Sequence, residues 1–401
     1  MMRMANPGGT DPQYGDAGSY TRSYVEERFK FVGDWLQDPE LLWMSYDGKQ
    51  GKKPDYTSYY YPYGKTMAMR SGWGKDDLFL HVTADAAVGT HSHWDDGGII
   101  VSAYGNYLLS DQGYNGYLQD DLTHRWLVSS RGHNTVEIND YNQNSNTPNN
   151  MDSTLNKGGG KKGDFPNVTF RDGYDFTTVD LSNVYKNLSY GGDPIIAPGG
   201  NGTTPPVDPG MQFKRNILFV KPNFWIVSDY MNPYDQQKEN KYSQYWHMIP
   251  EAKMSIDGQY VLQPGETIGN VHVTDAQIEN TQYVRETGNG AFRSNFVDKA
   301  NIQVVPVDIE NVEPKLCYGY YESRGSTPYG RYDKYATGTT GFDTILFPMK
   351  AGDDYEITPT PLTVSGFNTE DIQGAASAFS AHIQAEDGSS SKDDYEINYM
   401  I

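Results

Sequence analysis

The sequence predicts an all-β fold, a large two-sheet antiparallel β-sandwich preceded by a short helical segment. Aromatic residues make up 13% of the 401 positions, with 32 tyrosines and 42 glycines, a bias toward residues that suit pleated sheets and turns. Short strand-like runs recur between Gly-, Pro- and Asn-rich breaks from residue 65 to residue 364. The best helical spacing lies near the start, in residues 19–44.

Residues 1–16 are rich in Gly, Pro and Asp and read as a loop. In 19–44, Tyr24, Val25, Arg28, Phe29, Phe31, Val32, Trp35 and Leu36 recur at mixed three- and four-residue steps, and Pro39 is a stop signal. One long helix or two short ones are expected there. Residues 47–62 are a polar, tyrosine-rich loop. Residues 66–73 and 78–82 read as paired strands around Asp76-Asp77. Residues 98–104 and 107–109 flank Gly105-Asn106, a two-residue hairpin turn. Another short strand is expected at 134–139, and long polar loops at 141–166 and 190–210. Residues 211–220 and 224–229 form a hairpin around Lys221-Pro222-Asn223. Strands at 242–249, 252–256, 259–262, 271–274, 338–348 and 355–364 complete the sandwich. The chain thus divides into an N-terminal segment (1–62), a sandwich (63–365) and a polar C-terminal extension (366–401).

Bulk properties exclude several function classes. With net charge −20 and no basic stripe to neutralise phosphates, nucleic acid is not a partner. No apolar run reaches the length of a membrane-spanning helix. Residues 1–10 lack the apolar core of a signal peptide. The single cysteine, Cys317, rules out an intrachain disulfide and a multi-cysteine zinc site, and is expected to be a small buried hydrophobe.

Chemistry concentrates in one window. Four of the eight histidines, His91, His93, His124 and His133, fall within 43 residues together with several carboxylates. A His-x-His pair on a strand points both imidazoles to one face, a natural metal clamp for His91 and His93. Asp111, at the end of the next hairpin, and His133, before a third strand, can meet that face. Two or three histidines plus an aspartate suit zinc or a similar first-row ion, and calcium less well. His81 and His272 lie in apolar strand text and are expected to be structural.

Four ordered motifs carry a family resemblance: Met69-Arg70-Ser71-Gly72, Thr90-His91-Ser92-His93-Trp94-Asp95, Leu109-Ser110-Asp111-Gln112-Gly113 and Ser129-Ser130-Arg131-Gly132-His133-Asn134-Thr135-Val136. Together they resemble the heparinase II/III-like domain of polysaccharide lyases, over roughly residues 65–350, with 213–229 and 245–250 resembling its later strands. The resemblance implies an α/α toroid ahead of the sandwich, a substrate cleft between the two, and a structural zinc held by His93, Asp111 and His133. In this assignment His91 faces substrate instead of ligating metal.

The family's reaction is β-elimination: a base takes the C5 proton of a uronic acid, the carboxylate is neutralised and an acid protonates the leaving O4. On this resemblance His91, Tyr114 and Tyr117 are the catalytic candidates, and His124, Arg131 and Arg70 the candidates for contact with an anionic sugar. Residues 1–62 hold one or two helices, not a toroid, and 12–16 resemble the loop near a toroid's end. The chain is therefore expected to be the sandwich half of a lyase acting on polysaccharide. A partner chain or a homo-oligomer would complete the cleft, at a secreted, periplasmic or cell-surface location. The alternatives are a non-catalytic glycan-binding or self-assembling protein on the same sandwich, and a metal-dependent hydrolase, which needs an open metal position.

Overall fold

The protein is described by a computed structural model at residues 2–6, 12–16, 22–84, 93–114, 122–143, 163–188, 208–249, 254–256, 259–262, 290–321, 326–362 and 378–385. Strands dominate it. The helical start is two helices, α1 (Arg22–Leu36) and α2 (Pro39–Ser45). The break falls where Gln37 takes a left-handed φ of 53°. Asp38 then caps α2, its carboxylate accepting from the amides of Glu40 (2.9 Å) and Leu41 (3.0 Å), with Pro39 at the first turn.

Strands β1 (Tyr59–Tyr61), β2 (Thr66–Arg70), β3 (Phe79–Thr83), β4 (Ile99–Ala103) and β5 (Asn106–Leu109) form a five-stranded antiparallel meander in chain order. The β4–β5 turn sits one residue earlier than the sequence suggests, at Tyr104-Gly105, with φ of 51° and 77°. Two consecutive left-handed residues match the twist of the flanking strands.

After β5 come α3 (Leu122–Val128), a 3₁₀ turn (Ser130–Gly132) and β6 (Val136–Ile138). Next are β7 (Asp164–Phe170), β8 (Tyr174–Asp180), β9 (Lys186–Leu188), β10 (Asp208–Val220), β11 (Phe224–Pro233) and β12 (Glu239–His247). The short strands β13 (Met254–Ile256), β14 (Gln259–Leu262), β15 (Phe292–Ser294) and β16 (Asn301–Pro306) follow. Last are β17 (Glu313–Tyr320), β18 (Ser326–Thr337), β19 (Thr340–Met349), β20 (Tyr355–Leu362) and β21 (Ala378–Ala385). The large sheet runs β14-β13-β15-β16-β19-β11-β10-β8-β7, with β9 on β10. A smaller sheet runs β17-β18-β12-β6 and joins the meander through a bridge between Leu109 and Met248.

These two layers enclose the main core, in which Met69, Leu80 and Val101 of the meander pack with Phe213, Trp225, Val227 and Leu346 of the large sheet and Trp246 of the smaller one. The two-residue period of a strand then decides what covers the other face. On β11, Trp225 and Val227 point into the main core, while Phe224 and Ile226 join a second cluster with Ile345, Phe347, Ile357, Phe379 and Ile383. The β20–β21 hairpin is therefore a third layer over the large sheet. Composition places residues 378–385 in a polar extension, yet Phe379 and Ile383 are buried, because the alternate apolar positions of a single short strand suffice to cover a sheet face. The expected strand at 271–274 lies outside the described residues. Cys317 is buried among Trp126, Tyr245 and Tyr329, as its type predicts.

Candidate metal centre

Three loops carry the site. Residues 93–98, between β3 and β4, lie outside any strand, so the strand argument for a His-x-His clamp does not apply to His93. Tertiary hydrogen bonds set this loop instead: Trp94 N to Val128 O (3.0 Å), Gly97 N to Thr83 O (2.7 Å) and Gly98 N to Asp95 O (2.8 Å). The Asp111 loop is fixed by Ser110 N donating to His247 O at the end of β12 (3.0 Å) and by Gly113 N donating to Asp111 Oδ1 (2.9 Å). Ahead of His133, the backbone of Gly132 runs so close to the end of α3 that a Cβ would meet Trp126 O at 2.9 Å and Leu127 O at 3.0 Å. Only glycine fits that turn without a shift.

Two buried side chains bind the loops together. Asn134 donates to Ile99 O (2.7 Å) and Ser110 O (3.1 Å) and accepts from His247 N (2.6 Å). Arg215 forms a two-pronged pair with Asp229 at 2.7 Å on both arms, and its remaining arm donates to Gly97 O (2.6 Å) and Asn134 O (2.8 Å). Asn134 stands in the fourth motif without a role of its own there, and Arg215 carries no sequence signal. A bidentate Arg–carboxylate pair is a tertiary relationship with no local signature.

The result is a buried cluster of His93, Asp111 and His133, whose donor atoms lie within 4.8 Å of one another. His133 Nδ1 is 2.7 Å from Asp111 Oδ2, and His93 Nε2 is 3.0 Å from Asp16 Oδ1. His93 Nδ1 and His133 Nε2 are buried and have no hydrogen-bond partner. Buried polar atoms without partners are rare and costly, and two of them on imidazoles beside a carboxylate fit a metal as the missing partner. Burial by itself lowers the His133 imidazole, but Asp111 and Asp95 outweigh it and hold the group above its ordinary value. Burial, assisted by Asp111, pushes the Asp95 carboxyl up. A divalent cation would relieve such a concentration of carboxylates in a dry interior.

His247, on β12, donates through Nε2 to Arg131 O (2.8 Å) and is held down to about 3 by burial and by His133. His81 is also buried and lies at about 3, lowered by burial and by Arg70, with its Nδ1 3.2 Å from the Tyr14 hydroxyl. Both are neutral structural histidines, as expected for His81. His272 lies outside the described residues.

The catalytic candidates fare unequally. His91 and Tyr117 lie outside the described residues. Tyr114 is partly exposed, three residues past Asp111. The three anion-contact candidates are placed as follows. Arg70 is fully buried, donating to Ala5 O (2.6 Å) and lying over the Trp73 and Phe79 rings, so it stitches the N-terminal residues to β2 and does not meet a sugar. His124 is buried on α3, which likewise removes it from a solvent-filled cleft. Arg131 is partly exposed and paired with Glu137 (3.0 Å). Burial of Arg70 and His124 was not visible in the sequence because Arg and His beside polar neighbours such as Ser71 and Arg125 are side-chain types usually found at the surface.

The Heparinase II/III-like, C-terminal family matches residues 61–305, more than half of the chain. No curated protein sequence matches it. Among solved structures, a mutant of the heparan sulfate lyase HepC from Pedobacter heparinus superposes with a TM-score of 0.72 at 15% identity, over 100% of this chain and 51% of that one. The unmutated HepC from Pedobacter heparinus gives 0.70 at 16%, over 96% and 50%. A structure of heparinase III gives 0.67 at 13%, over 100% and 53%. This chain thus spans about half the length of the structures it resembles, and at these identities the likeness concerns the fold. With the sandwich, the ordered loops and the family match in agreement, the chain belongs to the Heparinase II/III-like C-terminal family.

Proposed function

We propose that this chain is the sandwich half of a polysaccharide lyase that cleaves uronate-containing glycan by β-elimination, with a structural zinc at His93, Asp111 and His133. The observation that supports this most is the convergence of those three residues from three separate loops, with imidazole nitrogens left partnerless in a buried pocket. Zinc there would act as a Lewis-acidic tie between the loops, with no open position required of it. The chain's own part in the chemistry falls to His91, which takes or gives a proton at the cleft, and to Tyr114 and Tyr117, candidates for the tyrosine that exchanges protons with the sugar. Arg131, partly exposed and two residues before His133, is the remaining candidate for the uronate carboxylate. The place of action is outside the cytoplasm, where such glycans are found. Among the described residues no helix is long and apolar enough to cross a membrane.

The test is incubation of the zinc-loaded chain with heparan sulfate, alginate, chondroitin and pectate, following the absorbance of the new C4–C5 double bond. Signal with one class, abolished in His91→Ala with zinc retained, is expected. No signal with any glycan from a folded, zinc-bound chain would sink catalysis by this chain. Glycan retention on an affinity column would then favour the second reading, a non-catalytic glycan-binding protein.

A further inference from the structure

The carboxylate nearest His93 comes from outside the sandwich. Residues 12–16 run as a strap against it, fastened at three successive points. The Tyr14 hydroxyl donates to His81 O (3.0 Å) and Gly98 O (3.1 Å). Gly15 N donates to Asp95 Oδ2 (3.2 Å), and Asp16 Oδ1 meets His93 Nε2 (3.0 Å). The Asp16 side chain is 6% exposed and that of His93 1%. A buried carboxylate is costly to desolvate, so its position against an imidazole edge needs a compensating role.

We propose that Asp16 is a positioning residue of the metal centre, holding the Nε2–H of His93 so that the ring presents Nδ1 to the ion. This rests on the metal reading above. An imidazole ligand must be neutral, and its other nitrogen then carries the proton; a carboxylate acceptor at that proton fixes both the tautomer and the ring plane. The structure has this arrangement: Nε2 is engaged by Asp16, and Nδ1 is the buried atom without a partner. It follows that the strap and the ion are energetically linked, each favouring the other.

The test uses the full chain, stripped of metal and titrated with zinc against a chromophoric chelator, together with amide hydrogen exchange of residues 12–16. Asp16→Ala is expected to weaken zinc binding on the order of 10–100-fold, the usual cost of losing such a partner. Asp16→Asn, whose amide oxygen can still accept from Nε2–H, is expected to recover most of the affinity. Tyr14→Phe loosens the strap but leaves the carboxylate, and is expected to weaken zinc binding far less than Asp16→Ala does. Zinc should slow exchange at 12–16 in the wild type and not in Asp16→Ala. Equal affinity of Asp16→Ala and wild type, or equal losses in Asp16→Ala and Tyr14→Phe, would overturn the assignment of Asp16. A wild-type chain that takes up no zinc would instead overturn the metal centre itself and this inference with it.

Discussion

Arg215 shows how a single side chain can govern a site it does not enter. Its guanidinium is fully buried, paired with Asp229 and linked to the carbonyls of both histidine-bearing loops at Gly97 and Asn134. Removing one partner strands the other charge in the interior. Asp229→Ala should therefore cost ~3–5 kcal/mol, read as a lower urea midpoint at unchanged slope. A loss under 1 kcal/mol would show that the pair is not buried as described. His81 offers a pH test. Its folded value is about 3, below the ordinary 6.5, so the unfolded chain takes up the proton first as pH falls. Stability should decline from about pH 6.5 down toward 3, by at most ~1.4 kcal/mol per pH unit for this one group. His81→Gln should flatten that slope by about one proton; an unchanged slope in urea melts across pH 4–7 would refute it.

At the scale of elements, the β20–β21 hairpin matters most for the large sheet. Phe379 is fully buried against β11, β16 and β19 residues of the second core. Phe379→Ala should lower stability by ~3–5 kcal/mol. If residues 378–385 were a loose extension, the melting temperature would not move. α1 stands in contrast. Phe31 and Trp35, four residues apart on one helical face, are 73% and 77% exposed. Their spacing is what made the segment legible as a helix, yet that spacing alone cannot say whether the stripe meets this chain or something else. The strap at 12–16 was legible only as a loop, because its fastenings run to residues more than sixty positions away.

At the scale of the molecule, the two layers and the three loops form one thermodynamic unit if the ion bridges them. A metal that binds only the folded chain stabilises it by about 4 kcal/mol at a free concentration 1,000-fold above its Kd. Chelation should thus lower the wild-type melting temperature and leave His133→Ala unmoved. Equal responses in both would argue that His133 is no ligand. Charge belongs to this scale too. The net charge of −20 opposes a polyanionic substrate, so the proposed function requires that any glycan binding depend on local cations such as Arg131 and weaken with salt.

By itself the sequence determined the all-β class, the hairpins around residues 105 and 222, and the three residues His93, Asp111 and His133 as members of one motif set. Local periodicity and turn chemistry write the class and the hairpins into neighbouring residues, whereas the three-residue set came from the family resemblance of the ordered motifs. Only the tertiary structure decided which carboxylate faces which imidazole, that Asp16 reaches His93, that Arg70 and His124 are buried, and that a late strand closes the outer face of the large sheet. Each depends on contacts between residues far apart in the chain. Burial and partnership are properties of such contacts, not of the residues themselves, and no local pattern encodes them.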